Sequence, residues 1–394
     1  MATVSSPGLA DSLSRLGTES AFSVLARARE LERAGHEVIH LEIGEPDFPT
    51  PAHVCEAAFE AIRRGHTGYC PSAGVHALRE AAADYLSRSR QIDVQPERVL
   101  VGTGAKPFLF FTILASCNPG DEVIYPDPGF PIYRSAISWA GATPVPLPLR
   151  EDRDFVFDPG ELEARLTGRT KLVILNSPQN PTGGLIDQET LTEAARLLER
   201  SNAWVLSDEV YSRLVYEGEF ASIASRPGML ERTILLDGVS KTYAMTGWRC
   251  GFAAVPEPLV DPLERFFVNS TSCVPPFIQY AAVAALTGPQ HPVEAMVSEF
   301  RERRRLIVQG LNRLDGVSCR EPRGAFYAFP NVSQLPLTAD QLSGRLLDDA
   351  GVALLPGSAF GPNGHNHLRL SYANSQTNLH RALERITTFL QSLA

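Results

Sequence analysis

The feature that most constrains the fold of this chain is a pattern repeated through its first two thirds: a short apolar run, a polar loop and a helical segment. Apolar runs of this kind are typical of strands that are buried on both faces of a sheet. They occupy residues 98–101, 122–125, 171–175, 203–206 and 233–236. Strands that alternate with helices predict an α/β fold built on a doubly wound, mostly parallel sheet.

One further strand breaks the parallel pattern. The run at 251–255 follows the run at 233–236 after a link that is short for a parallel crossover, which needs about a dozen residues or more and usually a helix. We therefore expect these two strands to be antiparallel neighbours and the sheet to be mixed.

Prolines and glycines mark a change of character near residue 288. A long charged helix at about 292–314 follows, and short strands (325–329, 352–355, 367–372) then alternate with helices (339–350, 378–393). A chain of 394 residues is long enough for about two domains. We predict a large domain at 46–288, a smaller α/β domain at 289–394, and an N-terminal segment, 1–45, that packs with the smaller domain.

Composition excludes several classes of protein. Apolar residues make up 44% and charged residues 21%, as in a soluble globular enzyme. The net charge of -9 is spread along the chain, and the absence of a basic run argues against a nucleic-acid partner. Without a signal-like start or a long apolar run, no membrane partner is expected. The six scattered cysteines predict reduced thiols, no metal site and a cytoplasmic protein.

Lys241 is the strongest candidate for a reactive group. It follows the strand at 233–236 and so should lie at the carboxyl end of the sheet, where open α/β proteins bind ligands. A partly desolvated lysine amine has a lowered pKa and can form Schiff bases with carbonyl compounds. Arg249 follows shortly after and adds a planar, permanently charged group that suits phosphate.

Three other loops carry candidate ligand groups. Small residues Gly104 and Ala105, with Lys106, precede a helix that begins near Pro107, so backbone N–H groups there can bind an anion. Phe130 follows the strand at 122–125 and can stack on a planar ligand. Asp208 ends an apolar strand, where a carboxylate requires a cation or hydrogen-bond donors.

Taken together, these motifs resemble those of the pyridoxal-phosphate-dependent aminotransferases of class I/II, the fold type I group that includes aspartate aminotransferases. The resemblance extends from the Gly44 loop to the strand that contains Arg369. It rests on the order of Gly104-Ala105-Lys106, Asn180-Pro181-Thr182-Gly183, Asp208-Glu209-Val210-Tyr211, Ser240-Lys241, Gly247-Trp248-Arg249 and Arg369.

The resemblance implies a pyridoxal 5'-phosphate cofactor, amino acid and 2-oxo acid substrates, and a role for each matching residue. Lys241 resembles the Schiff-base lysine that also moves the substrate's α-proton, and Asp208 the carboxylate that keeps the ring nitrogen protonated. The other implied cofactor contacts are Tyr211 and Asn180 to the ring 3-oxygen, Phe130 to the ring face, and Gly104, Ala105, Lys106 and Arg249 around the phosphate, with Ser240 as a further cofactor contact. Tyr69 resembles a tyrosine that reaches the phosphate from the partner subunit, which implies a homodimer with shared active sites. Arg369, the Gly44 backbone and Asn180 resemble the clamp on the substrate α-carboxylate.

Two questions stay open at this point. The same cofactor machinery serves transamination by a ping-pong exchange, but also lyases, oxidases and cyclases, and a non-catalytic regulator is a third, more remote alternative. The second question concerns Glu19, which stands near where related bacterial aspartate aminotransferases have a Ser/Thr pair for the distal carboxylate. If Glu19 faces the substrate and not solvent, it repels a second carboxylate, which predicts a neutral, aromatic or basic substrate side chain.

Overall fold

The computed structural model describes residues 8–393 and centres on a seven-stranded sheet in the order β2-β8-β7-β6-β5-β3-β4. The strands are β1 (Ile39–His40), β2 (Val99–Gly102), β3 (Glu122–Asp127), β4 (Thr143–Pro148), β5 (Thr170–Asn176), β6 (Trp204–Asp208), β7 (Thr233–Gly238), β8 (Gly251–Ala254), β9 (Tyr327–Ala328), β10 (Val352–Ala353), β11 (Leu355–Pro356) and β12 (Leu368–Ser371). The helices are α1 (Ser20–Arg33), α2 (Ala52–Arg63), α3 (His76–Arg90), α4 (Lys106–Ser116), α5 (Ile132–Trp139), α6 (Pro159–Glu163), α7 (Gln188–Glu199), α8 (Val239–Thr242), α9 (Glu257–Ser270), α10 (Pro276–Thr287), α11 (His291–Leu311), α12 (Ala339–Ala350) and α13 (Gln376–Gln391).

The large sheet is mixed, as the sequence predicts. Strands β3 to β7 pair in parallel, whereas β8 runs antiparallel to both of its neighbours, β7 and β2. Alternate residues of a strand enter different cores: Leu235 packs with α2, α3 and α10, while Ile234 and Leu236 pack with α4, α5 and α9. Helices therefore cover both faces, which explains why the strands are apolar throughout.

Strand β4 is an element that the sequence does not predict. Its residues Thr143–Pro148 carry a proline at every second position, which ordinarily argues against a strand. In the structure β4 is the last strand of the sheet and pairs with β3 alone. The missing N–H groups of the prolines therefore face the open edge, where a sheet tolerates proline.

The C-terminal part of the chain has its own small sheet, β11-β12-β9, and its own core against α11, α12 and α13. Strand β1 pairs with β10, where Ile39 lies beside Val352. Strand β1 ends at His40, because the chain then turns towards the large sheet. The carbonyl groups of Glu42 and Gly44 accept hydrogen bonds from Arg369 and Lys241 instead of from a strand.

The fold brings the ends of β5, β6 and β7 to one edge of the large sheet. Asn176, the last residue of β5, lies beside Asp208, the last residue of β6, and Asp208 lies beside Leu236 of β7. Loops that follow parallel strands meet at this edge, so residues far apart in sequence share one cleft. Within residues 8–393, each helix is too short or too polar to cross a membrane.

Candidate active site

A cavity of about 490 Å³ opens at this edge of the sheet. Its lining contains nearly every site residue expected from the sequence: Gly44, Ala105, Lys106, Phe130, Asn180, Asp208, Tyr211, Ser240, Lys241, Arg249 and Arg369. Gly104 lies directly behind Arg249, since a Cβ atom on this glycine would overlap the guanidinium group. Residues from six separate segments and from β12 thus surround one space.

Lys241 lies on the short helix α8, immediately after β7. Its Nζ donates a hydrogen bond of 2.6 Å to the carbonyl oxygen of Gly44. Burial lowers the pKa of Lys241 to about 8, with Arg369, Arg249 and Lys106 acting in the same direction. Compared with an ordinary lysine, the fraction of free amine at pH 7 is greater by roughly 300-fold, which favours attack on a carbonyl.

Asp208 is buried at the end of β6 with one of its two oxygens unpaired. Its Oδ2 accepts a hydrogen bond of 2.7 Å from the hydroxyl of Tyr133, whereas Oδ1 has no hydrogen-bond partner within residues 8–393. Burial raises the pKa of Asp208 to about 6, and the Tyr133 hydroxyl acts in the opposite direction. A carboxylate in this state requires a donor, preferably a cationic one, from the cavity.

Tyr211 lines the cavity together with a second tyrosine. Its hydroxyl lies 2.8 Å from the hydroxyl of Tyr327, a residue of β9 that also lines the cavity. The Tyr327 hydroxyl in turn packs against Gly44 so closely that a Cβ atom there would overlap it. The two phenols and the Gly44 backbone therefore form one wall of the cavity.

Arg369 presents a partly free guanidinium group from β12. Its Nη1 lies 3.4 Å from Oδ1 of Asn180, its Nη2 donates to the carbonyl of Glu42, and its Nε has no partner in the described part of the chain. The rings of Tyr327 and Phe360 lie 4.7 and 4.9 Å from the guanidinium carbon and fix its plane. A planar group with donors to spare suits a carboxylate.

Groups that suit an anion line the cavity where α4 begins. Gly104 has a φ of +87°, which allows the loop to approach the Arg249 side chain closely. Arg249 donates to the carbonyl oxygens of Thr246 and Thr103, at 3.0 and 3.4 Å, and so stays beside the first turn of α4. A guanidinium group next to a helix N-terminus is a favourable place for a phosphate.

Glu19 lies inside the site and not in bulk solvent. Its carboxylate forms an ion pair with Nζ of Lys106, and its side chain is only 16% exposed. The Lys106 amine also lies 5.5 Å from the centre of the Phe130 ring. The positive charge of Lys106 is therefore matched by Glu19 on the side of the cavity formed by Phe130 and α1.

Comparison with known proteins identifies the family. Residues 36–386 match the family model described as aminotransferase class I and II. The chain belongs to this family. The aminotransferase is 39% identical over 393 residues to an aspartate aminotransferase of Geobacillus stearothermophilus, a match that covers 98% of this chain and 100% of that protein. It is 38% identical over 373 residues to aromatic-amino-acid aminotransferase 2 of Thermococcus litoralis, a match that covers 94% of this chain and 96% of that protein.

A solved structure agrees with these matches. The crystal structure of the aspartate aminotransferase from Rhizobium meliloti superimposes with a TM-score of 0.94 at 38% identity, covering 98% of this chain and 99% of that one. The expectations of fold type I and of a transaminase are thus confirmed.

The sequence-based site and the observed one differ most clearly at three tyrosines. Tyr133 and Tyr327 were missed, because neither belongs to a motif and their partners lie 75 and 116 residues away in the chain. Tyr69, expected from the resemblance, is 93% exposed and lies outside the lining of the cavity in the single chain. Its role as a contact to a partner subunit's cofactor stays a prediction.

Proposed function

We propose that this aminotransferase binds pyridoxal 5'-phosphate at Lys241 and transfers an amino group from an L-amino acid to a 2-oxo acid in two half-reactions. The observation that carries the proposal is the meeting of three groups in one cavity: the partly buried amine of Lys241, the unpaired oxygen of Asp208 and the guanidinium of Arg369. When bound, the cofactor supplies an aldehyde that condenses with amines and a protonated ring that withdraws electrons from the substrate α-carbon.

The chain's own groups fit this cofactor one by one. Asp208 would hold the proton on the ring nitrogen with the oxygen that lacks a partner, which explains why so costly a buried carboxylate is present. Tyr211 and Asn180 would donate to the ring 3-oxygen, and Phe130 would pack on the ring face. The phosphate would be held by Arg249, Ser240 and the backbone N–H groups of Gly104, Ala105 and Lys106.

Substrate binding and proton transfer would use the opposite side of the cavity. Arg369 and the backbone of Gly44 would hold the α-carboxylate, and this contact orients the α-carbon towards Lys241. With a pKa near 8, the Lys241 amine can both accept and return the α-proton near neutral pH.

We infer that the substrate side chain is neutral, aromatic or basic, and that the enzyme is not strictly specific for aspartate. The support is the ion pair between Glu19 and Lys106, because a second substrate carboxylate would meet Glu19 and compete for Lys106. The variant Glu19→Gln should raise kcat/KM for aspartate relative to phenylalanine at least about tenfold, equivalent to ~1.4 kcal/mol. A wild-type enzyme that clearly prefers aspartate over a panel of amino acids would contradict this inference.

We also propose an oligomeric state, a cellular location and a division of the chain into domains. A homodimer is supported by large apolar side chains that are exposed on the single chain, Phe59, Ile62, Tyr69 and Val268. A cytoplasmic location is supported by the six free cysteines. Sedimentation analysis would test the dimer. The proposed division is 46–288 and 289–394, with 1–45 attached to the smaller domain. Residues 1–7 of this segment lie outside the described residues; the pairing of β1 with β10 supports the attachment, whereas Arg15 and Gly17 contact α5 of the large domain.

Transamination is tested directly with the purified enzyme. Single amino acids are added without a 2-oxo acid, and the cofactor released by denaturation is identified by chromatography. Conversion to pyridoxamine 5'-phosphate, followed by recovery when 2-oxoglutarate or pyruvate is added, is the expected result. Product formation with the cofactor unchanged would favour a lyase, oxidase or cyclase instead.

A further inference from the structure

A second group of charged side chains is buried where α3 ends against the ends of β6 and β7. Arg90, the last residue of α3, donates from Nε to Oε2 of Glu209 at 3.0 Å and from Nη2 to the carboxylate of Asp237. All three side chains are only 1–2% exposed. They lie outside the lining of the cavity, so substrate and cofactor chemistry does not account for them.

The two carboxylates lie close in sequence to residues of the candidate active site. Glu209 directly follows Asp208 at the end of β6, and Asp237 lies in β7, shortly before Lys241. One guanidinium group is thus hydrogen-bonded to both strand ends that carry the proposed reactive groups. The backbone N–H of Gly238 donates to the other oxygen of Asp237 at 2.7 Å, which extends the connection towards α8.

Every member of this cluster is held from several sides. Glu209 Oε1 accepts hydrogen bonds from Ser207 and Ser222, at 2.8 and 2.5 Å. The Arg90 guanidinium lies between the rings of Tyr85 and Phe220, whose centres are 5.3 and 5.2 Å from its central carbon. Buried ion pairs are weak contributors to stability compared with apolar packing, so their geometric constraint is the more informative property.

We propose that Arg90 is a positioning residue, which fixes Asp208 relative to Lys241 by joining the ends of β6 and β7. This inference rests on the proposed function, because that function gives Asp208 and Lys241, at the ends of β6 and β7, their reactive roles. The cluster also has an electrostatic effect: Glu209 and Asp237 act to raise the pKa of Asp208, while Arg90 offsets their charge. Arg90 therefore influences both the position and the protonation of the group that would meet the ring nitrogen.

The variant Arg90→Lys tests this role, because lysine keeps the charge but cannot bridge two carboxylates with a rigid fork. The matched control is Arg304→Lys. Arg304 is also buried, pairs with Glu217 and Glu321, and lies 5.3 Å from the ring centre of Tyr216, but it belongs to α11. Both variants should lose stability in thermal unfolding, whereas only Arg90→Lys should lose kcat, on the order of 100-fold, with little change in KM.

A second variant and a second readout keep the test decisive if Arg90→Lys does not fold. Asp237→Asn keeps an oxygen for the Gly238 N–H but removes the charged link from Arg90 to β7. We expect a fall in kcat and, in the apoprotein, a lower pKa of Asp208 by ¹³C NMR, because a neighbouring negative charge is gone. The NMR readout does not depend on transamination, so it separates failure of this inference from failure of the proposed function.

The outcomes divide cleanly. A loss of kcat in Arg90→Lys or Asp237→Asn that is absent from Arg304→Lys supports the positioning role. Equal losses in all three folded variants, a loss confined to KM, or an unchanged Asp208 titration in Asp237→Asn overturns it.

Discussion

The buried carboxylate of Asp208 should destabilise the apoprotein, and Asp208→Asn measures by how much. Burial raises the pKa of Asp208 from 3.8 to about 6, a difference worth roughly 3 kcal/mol. Between these two values the folded protein keeps the proton that the unfolded chain has released. The free energy of unfolding must therefore fall as the pH rises through this range. Roughly half of this loss lies between pH 5 and pH 7.5.

The variant removes this titration and leaves the other ionisable groups in place. The difference in unfolding free energy between the Asp208→Asn apoprotein and the wild-type apoprotein should rise in favour of the variant by roughly 1 kcal/mol from pH 5 to pH 7.5. Urea unfolding of both apoproteins at the two pH values gives this difference. A difference that does not change with pH, or that shifts towards the wild type, would refute the assignment of a raised pKa to Asp208.

Three further substitutions test the contacts around the cavity. Tyr133→Phe removes the hydroxyl that stabilises ionised Asp208, a contact worth about 1.5–3 kcal/mol. The pKa of Asp208 in the apoprotein, followed by ¹³C NMR, should therefore rise by about one unit or more, and an unmoved pKa would argue against this contact. Gly44→Ala places a Cβ atom against the Tyr327 hydroxyl. Steady-state kinetics should therefore show a KM for the amino acid that is raised about tenfold. An unchanged KM would mean that Gly44 and Tyr327 can move apart freely. Arg369→Lys replaces the planar guanidinium group by a point charge and should raise KM for the amino acid roughly 100-fold. A rise below about threefold would contradict the role of Arg369 in carboxylate binding.

Most of the fold could be predicted from the sequence, because its strands are buried on both faces and end in polar loops. That pattern indicates a parallel sheet, and a parallel sheet gathers its loops at one edge, which is why Lys241 and Asp208 could be expected to meet. Strand β4 escaped prediction because its prolines are tolerated only at an edge, and edge position depends on the complete strand order.

The supporting contacts of the site could not be predicted in the same way. Tyr133 reaches Asp208 from α5, and Arg90 reaches Glu209 and Asp237 across 119 and 147 residues of sequence. Each of these residues would be an ordinary member of an amphipathic helix if read in isolation. Their partners are defined by how helices dock on the sheet, a property of tertiary packing that local patterns do not contain.

The central claim is a covalent bond between Lys241 and the cofactor aldehyde, and the composition of the chain makes it unusually easy to test. The sequence contains three lysines, Lys106, Lys171 and Lys241, of which Lys106 shares the cavity and Lys171 lies in β5. Borohydride reduction of the protein loaded with pyridoxal 5'-phosphate, followed by peptide mass spectrometry, should locate the phosphopyridoxyl group on Lys241 alone. A group found on Lys106 or Lys171, or an unlabelled Lys241 peptide, would contradict the account.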